Sequence, residues 1–211
     1  MNRSRSRIPL FLLLVLALTF LPHPVQAEGD ASLPALQAFI ESVSNGEAES
    51  LRGLYIPGVL AALVVPQPEG EPGFVSFEAN TLTQFTLATR AGSTGLLAHN
   101  YLAGKELFRV QIGQLMYLVY GDGRTAAFIV TDLQRFQALD PQDIRSNFLD
   151  LRSGRFYSTR SLFNRIYNRS GDVILQTCIE WEGETSWGRL FVIAEPYTVS
   201  GFEPSAERAI K

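Results

Sequence analysis

Hydrophobic and polar residues alternate along this chain in two different rhythms. Between Ser32 and Val43 the apolar residues Leu33, Leu36, Phe39, Ile40 and Val43 recur every three or four positions. That spacing draws one stripe along a predicted helix, with Asp30 or Ser32 as its cap and Asn45-Gly46 as its stop. From Leu54 onward the rhythm shortens. Leu54-Tyr55-Ile56 runs into Pro57, so this is an edge strand or the end of a strand, because proline has no N–H for a ladder. Leu60–Val65 predicts a second strand, Pro66–Gly73 a loop, and Phe74–Phe77 a short strand or part of that loop. Gln84–Thr89 is apolar at alternate positions, and Gly95–Ala98 is a short apolar strand after the Gly92-Ser93-Thr94 turn. Tyr101–Leu107 reads as a loop. Leu115–Tyr120 and Thr125–Thr131 flank Gly121-Asp122-Gly123 as a hairpin. Phe136–Pro141 leads into a loop. Asp143 then caps a predicted helix over Ile144–Leu151, and Leu162, Phe163, Ile166 and Tyr167 predict another over Thr159–Asn168. Val173–Cys178 and Leu190–Ala194 are strands, the second a continuous apolar run of the buried kind. The polar interval between them, with Gly183 and Gly188, reads as a loop. Many short strands separated by turns predict a mainly β domain, closed or sandwiched, with peripheral helices.

The first 27 of the 211 residues follow a different pattern. Arg3, Arg5 and Arg7 precede an apolar stretch from Ile8 to Leu21, and Val25-Gln26-Ala27 ends on a small residue. This is the layout of a secretory signal peptide, cleaved after Ala27; the rival reading is an uncleaved N-terminal membrane anchor. The chain therefore divides into a signal peptide at 1–27, an N-terminal helical appendage at 28–53, a β domain at 54–200 and a C-terminal tail at 201–211. Loss of the three arginines with the leader leaves 15 basic against 21 acidic residues, a net charge near −6. No basic patch points to nucleic acid.

Export sharpens the question of the single cysteine. Exported cysteines usually pair as disulfides, and Cys178 has no partner in its own chain. It is a buried apolar filler, a link between two chains, or a working thiol. If its strand pairs with the next as an antiparallel hairpin, Arg189 comes to the same rim of the sheet. A thiol beside a fixed cation is biased towards the thiolate, and the cation can hold an anion. His99, the one histidine left once His23 departs with the leader, also follows a predicted strand. Thiol, imidazole and guanidinium are the three parts that acyl transfer through a cysteine needs.

These residues resemble the sortases, the cysteine transpeptidases of bacterial cell surfaces. Ile174-Leu175-Gln176-Thr177-Cys178 is similar to the family's T-L-x-T-C strand, with Ile174 in place of the first threonine. Arg189 before Leu190-Phe191-Val192 stands where the family carries its arginine, and Ala98-His99-Asn100 matches its histidine context. Phe108 with Gly113-Gln114, and Ile56-Pro57, fall in the family's order as well.

The resemblance spans roughly Leu54 to Pro196. It implies a closed eight-stranded β-barrel with an N-terminal helix and short peripheral helices. It further implies that Cys178 attacks a threonine carbonyl in the C-terminal sorting motif of a secreted protein, forming a thioester. His99 would protonate the leaving amine and Arg189 would hold the oxyanion or the substrate backbone. An amine acceptor, from a peptidoglycan precursor or a pilin lysine, would complete the transfer. Thr177, Trp187, Ala98 and Asn100 are expected to line the substrate site, and no cofactor or metal is implied. Trp181 and Trp187 either wall the groove or pack the hairpin. Asp122, Asp132 and Glu106 are scattered surface acids rather than a calcium site. The alternative is a non-catalytic barrel of the same shape that binds peptide or a protein partner. The oligomeric state is open.

Overall fold

Eight strands close on themselves. The computed structural model describes residues 29–198, so the signal peptide at 1–27 and the tail at 201–211 lie outside the described residues. Helix α1 (Gly29–Val43) leads into β1 (Leu51–Ile56), β2 (Leu60–Pro66), β3 (Thr81–Gln84), α2 (Thr86–Arg90) and β4 (Thr94–Ala98). A 3₁₀ helix (Ala103–Arg109), β5 (Leu115–Tyr120), β6 (Thr125–Ala138), β7 (Phe148–Asp150) and β8 (Phe156–Tyr157) follow. The chain ends on α3 (Thr159–Tyr167), β9 (Val173–Trp181) and β10 (Glu184–Pro196). Neighbouring strands run β10-β9-β4-β3-β2-β1-β5-β6, and β6 pairs back onto β10 to complete the ring. Closure leaves the ring without free edges. The expected closed eight-stranded barrel is what forms, with β7 and β8 as an external extension of β6.

Alternation decides which side chains enter the barrel. Val173 and Leu175 of β9 and Leu190, Val192 and Ala194 of β10 point inward, against Leu54, Ile56, Leu96 and Met116. The intervening Ile174, Phe191 and Ile193 point outward, yet they too are buried, beneath α2, α3 and β7 in a second core with Phe136, Phe148 and Ile166. Strands covered on both faces carry unbroken apolar runs, which explains Leu190–Ala194. At the other end, α1 lies close against β1. A Cβ on Gly53 would stand 2.8 Å from the Phe39 ring, so only glycine allows this approach. The helix stops as expected at Asn45-Gly46, whose N–H groups both donate to Gly121 O.

Several expectations need correction. The first helix begins at Gly29, so Asp30 and Ser32 lie inside it rather than capping it. β1 begins at Leu51, ahead of the expected domain start at 54. Phe74–Phe77 is loop rather than strand. Gln84–Thr89 is not a strand: β3 ends at Gln84 and α2 begins, its Thr86 N–H held by the side chain of Gln67 at 2.9 Å. Tyr101–Leu107 is not an open loop but leads into the 3₁₀ helix. β6 continues through Phe136 to Ala138, because its far end pairs with β7 as well as β10.

The helix over Ile144–Leu151 does not form. Asp143 Oδ1 accepts from Arg145 N–H at 2.8 Å in a local turn, Ile144 is 89% exposed, and Phe148 opens β7 instead. The predicted helix over Thr159–Asn168 is present as α3, capped by Ser158, whose hydroxyl oxygen accepts from Ser161 N–H. No described helix is long and apolar enough to cross a membrane.

Candidate active site

The hairpin between Cys178 and Arg189 is tighter than the sequence suggests. β9 runs on to Trp181 and β10 starts at Glu184, leaving only Glu182-Gly183 as the turn, both at positive φ (50° and 85°). The polar residues Glu180, Glu182 and Glu184 therefore belong to a ribbon that projects past the barrel, not to a long loop. Within the ribbon Cys178 pairs directly with Arg189, and Thr177 with Leu190. Residues paired across an antiparallel ladder share a face, so thiol and guanidinium leave the sheet side by side. That face is the outer one, the face of Ile174 and Phe191. Cys178 is a free, half-buried thiol.

His99 arrives from the other side of β9. β4 runs parallel to β9, with Leu97 beside Gln176 and Ala98 beside Thr177. The ladder ends there, and the next residues along the two chains are His99 and Cys178. Thr177 secures this junction from within: its hydroxyl donates to Ala98 O at 2.9 Å. The chain then turns sharply, because His99 O accepts from both Leu102 N–H and Gly104 N–H at 3.0 Å. A Cβ on Gly104 would collide with Thr177 Oγ1 and stand 2.6 Å from His99 O. Gly104→Ala is therefore expected to cost about 1–3 kcal/mol of stability through overpacking and to lower turnover by displacing His99. Chemical denaturation and steady-state rates check this; a variant as stable and active as the parent refutes it.

The imidazole itself is enclosed. It stacks between Phe77, at 4.7 Å between ring centroids, and Tyr101, at 5.2 Å. Its Nε2 is buried and has no hydrogen-bond partner among the described residues. Neither aromatic residue was among the expected site residues, and no local spacing links Phe77, on the loop after β2, to His99. Asn100 extends away, donating to Thr185 O at 3.1 Å and so tying the histidine turn to the hairpin.

Arg189 is fixed by its own strand. Its Nη1 donates to Ser186 O at 2.9 Å and Gly188 O at 2.8 Å, and its guanidinium lies 6.0 Å from the centre of the Phe148 ring. It lines a groove of about 260 Å³ together with Gln176, Phe148, Leu162, Ile166 and Phe191, whereas Cys178 and His99 are not among the lining residues. Tyr167, buried beneath, donates its hydroxyl to Gln176 Oε1 at 2.5 Å. Burial pushes the Tyr167 phenol far above its ordinary value, so it remains a donor. That bond orients Gln176 with its amide nitrogen free of protein acceptors among the described residues. Gln176 is the groove residue that sequence reasoning passed over; a lone polar side chain in an apolar strand was its only signal.

Thus the ladders pair Arg189 with Cys178 and end one residue before His99, while some of the expected substrate contacts turn elsewhere. Thr177 and Ala98 face the barrel interior and are 2% and 6% exposed, so they brace β4 against β9 instead of lining the groove. Trp187 pairs with Trp181 at 5.7 Å, which favours packing of the hairpin over walling the groove. Asp122, Asp132 and Glu106 are each engaged by a different arginine: Arg124, Arg152 and Arg109.

No protein-family model matches the chain, and no curated protein sequence matches it. Solved structures similar to it in fold include sortase A of Listeria monocytogenes, at 13% identity over 71% of this chain and 88% of that one, with a TM-score of 0.43. They also include sortase C1 of Streptococcus suis, at 14% identity over 82% and 84%, with a TM-score of 0.46. Sortase C-1 of Actinomyces oris follows at 13% identity over 77% and 80%, with a TM-score of 0.45.

Proposed function

We propose that this protein is an exported cysteine transpeptidase acting at the cell surface or outside the cell. The observation that supports this reading is the strand register: β10 pairs Arg189 with Cys178, and the β4–β9 ladder ends on Ala98 and Thr177, one residue short of His99 and Cys178. In the first half-reaction the Cys178 thiol gives its proton to His99 as the sulfur attacks the carbonyl carbon of a peptide bond. The C–N bond breaks, a thioester forms, and His99 passes that proton to the leaving amine. In the second, an amine attacks the thioester carbonyl, His99 takes the proton from that amine, and as the C–S bond breaks His99 returns the proton to the sulfur, restoring the thiol. Water in place of the amine gives hydrolysis. Arg189 stabilises the charge that develops on the carbonyl oxygen, or fixes the substrate backbone, from a pose set by Ser186 O and Gly188 O. The apolar groove suits a short extended peptide such as the sorting motif of a secreted protein. The acceptor is an amine of the peptidoglycan-precursor or pilin-lysine kind.

The experiment is trapping of the acyl-enzyme. Incubation with peptides from C-terminal tails of exported proteins should add an acyl mass to Cys178 that hydroxylamine removes. Arg189→Lys keeps the charge but loses the planar fork, and turnover should fall about 10²–10³-fold with the fold unchanged. A rate near that of the parent would take Arg189 out of the mechanism.

The enclosure of His99 between Phe77 and Tyr101 favours a second reading, a peptide-binding barrel without turnover. Thiol reactivity separates the two. A working Cys178 is alkylated rapidly in the native protein, whereas an inert one labels only after unfolding.

A further inference from the structure

A second cavity, of about 160 Å³, opens where β6, β7, β8 and α3 meet, and none of His99, Cys178 or Arg189 lines it. Three arginines stand in its wall, Arg152, Arg155 and Arg165. Arg152 is paired with Asp132 at 3.0 Å. Arg155 and Arg165 have no carboxylate partner among the described residues. Instead both guanidiniums lie over the Tyr157 ring, 5.7 and 5.5 Å from its centre. Attraction to the ring holds two like charges on one residue.

The carboxylate in the same wall does not neutralise them by contact. Asp150 accepts from Arg152 N–H, Ser153 N–H and the Ser153 hydroxyl. Burial works to raise its carboxyl, but those bonds outweigh it and hold the group below the usual carboxylate range. It stays ionised and occupied. The remaining wall residue of note is Gln134, 7% exposed. Its Nε2 donates to Asp132 at 2.7 Å, which fixes Oε1 as an acceptor, and that Oε1 is buried with no partner among the described residues. The site thus combines two forked cations without a direct carboxylate contact, although the charge of Arg165 also helps to hold the Asp150 carboxyl low, with one unmet acceptor.

We propose that this cavity binds inorganic phosphate, which keeps a P–OH at neutral pH. The unprotonated oxygens accept from the Arg155 and Arg165 forks, where charge-assisted bonds are strong. The P–OH donates to Gln134 Oε1. Sulfate and acetate, both fully ionised near neutrality, have no proton to offer that acceptor. Because α3 supplies Arg165 here and Leu162 and Ile166 to the groove, an occupant would also pin the helix that floors the substrate site.

Calorimetric titration of the full chain with inorganic phosphate, sulfate and acetate at matched ionic strength tests this. Phosphate should bind saturably and more tightly than the other two. Arg155→Gln and Arg165→Gln should each weaken it about tenfold or more; both residues are exposed, and an unchanged melting temperature without ligand verifies the fold. Glycerol phosphate, whose ester group is mostly doubly ionised at neutral pH and lacks that proton, should bind more weakly than inorganic phosphate, and equal or tighter binding of the ester overturns the assignment. Sulfate or acetate binding as tightly as phosphate overturns the assignment, as does unsaturable phosphate uptake or full affinity in both variants.

Discussion

Cys178→Ala should abolish acyl transfer while leaving the barrel folded. Loss of a nucleophile that acts together with its base lowers turnover on the order of 10⁴-fold or more, and here no second thiol exists to substitute. The residue is half-buried on the outer face, outside both apolar cores, so truncation removes one sulfur and opens no core cavity. The measurement is intact-mass analysis after incubation with a sorting-motif peptide. The parent should carry a hydroxylamine-labile acyl group and the variant should carry none. Peptide turnover that survives the substitution would show that the reaction runs elsewhere.

His99→Gln should be the next largest loss, about 10²–10⁴-fold, the usual contribution of a positioned acid–base group. Glutamine retains hydrogen bonding and much of the shape between Phe77 and Tyr101, so the stack survives and only proton transfer is removed. The distinguishing readout is the pH–rate profile. The limb belonging to the imidazole should vanish in the variant, while a purely structural role would lower the rate at every pH alike. A faster-leaving thioester substrate, which needs no protonated amine in the first step, should recover part of the loss in acylation. Equal losses for amide and thioester substrates would remove His99 as the acid.

Much of this arrangement is legible in the residues, and the illegible part has physical causes. The barrel strands show because their buried side chains alternate, and β9 and β10 show because both faces are covered. What fails is local pattern that tertiary contact overrides. Phe85, Leu87 and Thr89 alternate like a strand, but Gln67, nineteen residues earlier, caps the segment as a helix. Ile144–Leu151 has helical spacing, but Ile144 projects into the groove mouth and Phe148 pairs with Ala138. The β9–β10 ribbon looks like a loop because it leaves the barrel and meets water, so its outer half is polar. Spacing and motif order singled out His99, Cys178 and Arg189, and the ladders bring Arg189 opposite Cys178 and end one residue short of His99. The enclosure of His99 was not, because Phe77 reaches it across the fold. The inward turn of Thr177 followed from strand parity that only the register could anchor.

One consequence lies in the order of assembly. The bond from the Thr177 hydroxyl to Ala98 O, one residue before Cys178 and His99, joins residues 79 positions apart, and Arg189 sits on the final described strand. Such distant pairings form late, after shorter loops have closed. In a chain that emerges from its N-terminus, the guanidinium that pairs across the ladder with Cys178 is therefore among the last groups to arrive, and the thiol stays without that cationic neighbour until β10 docks.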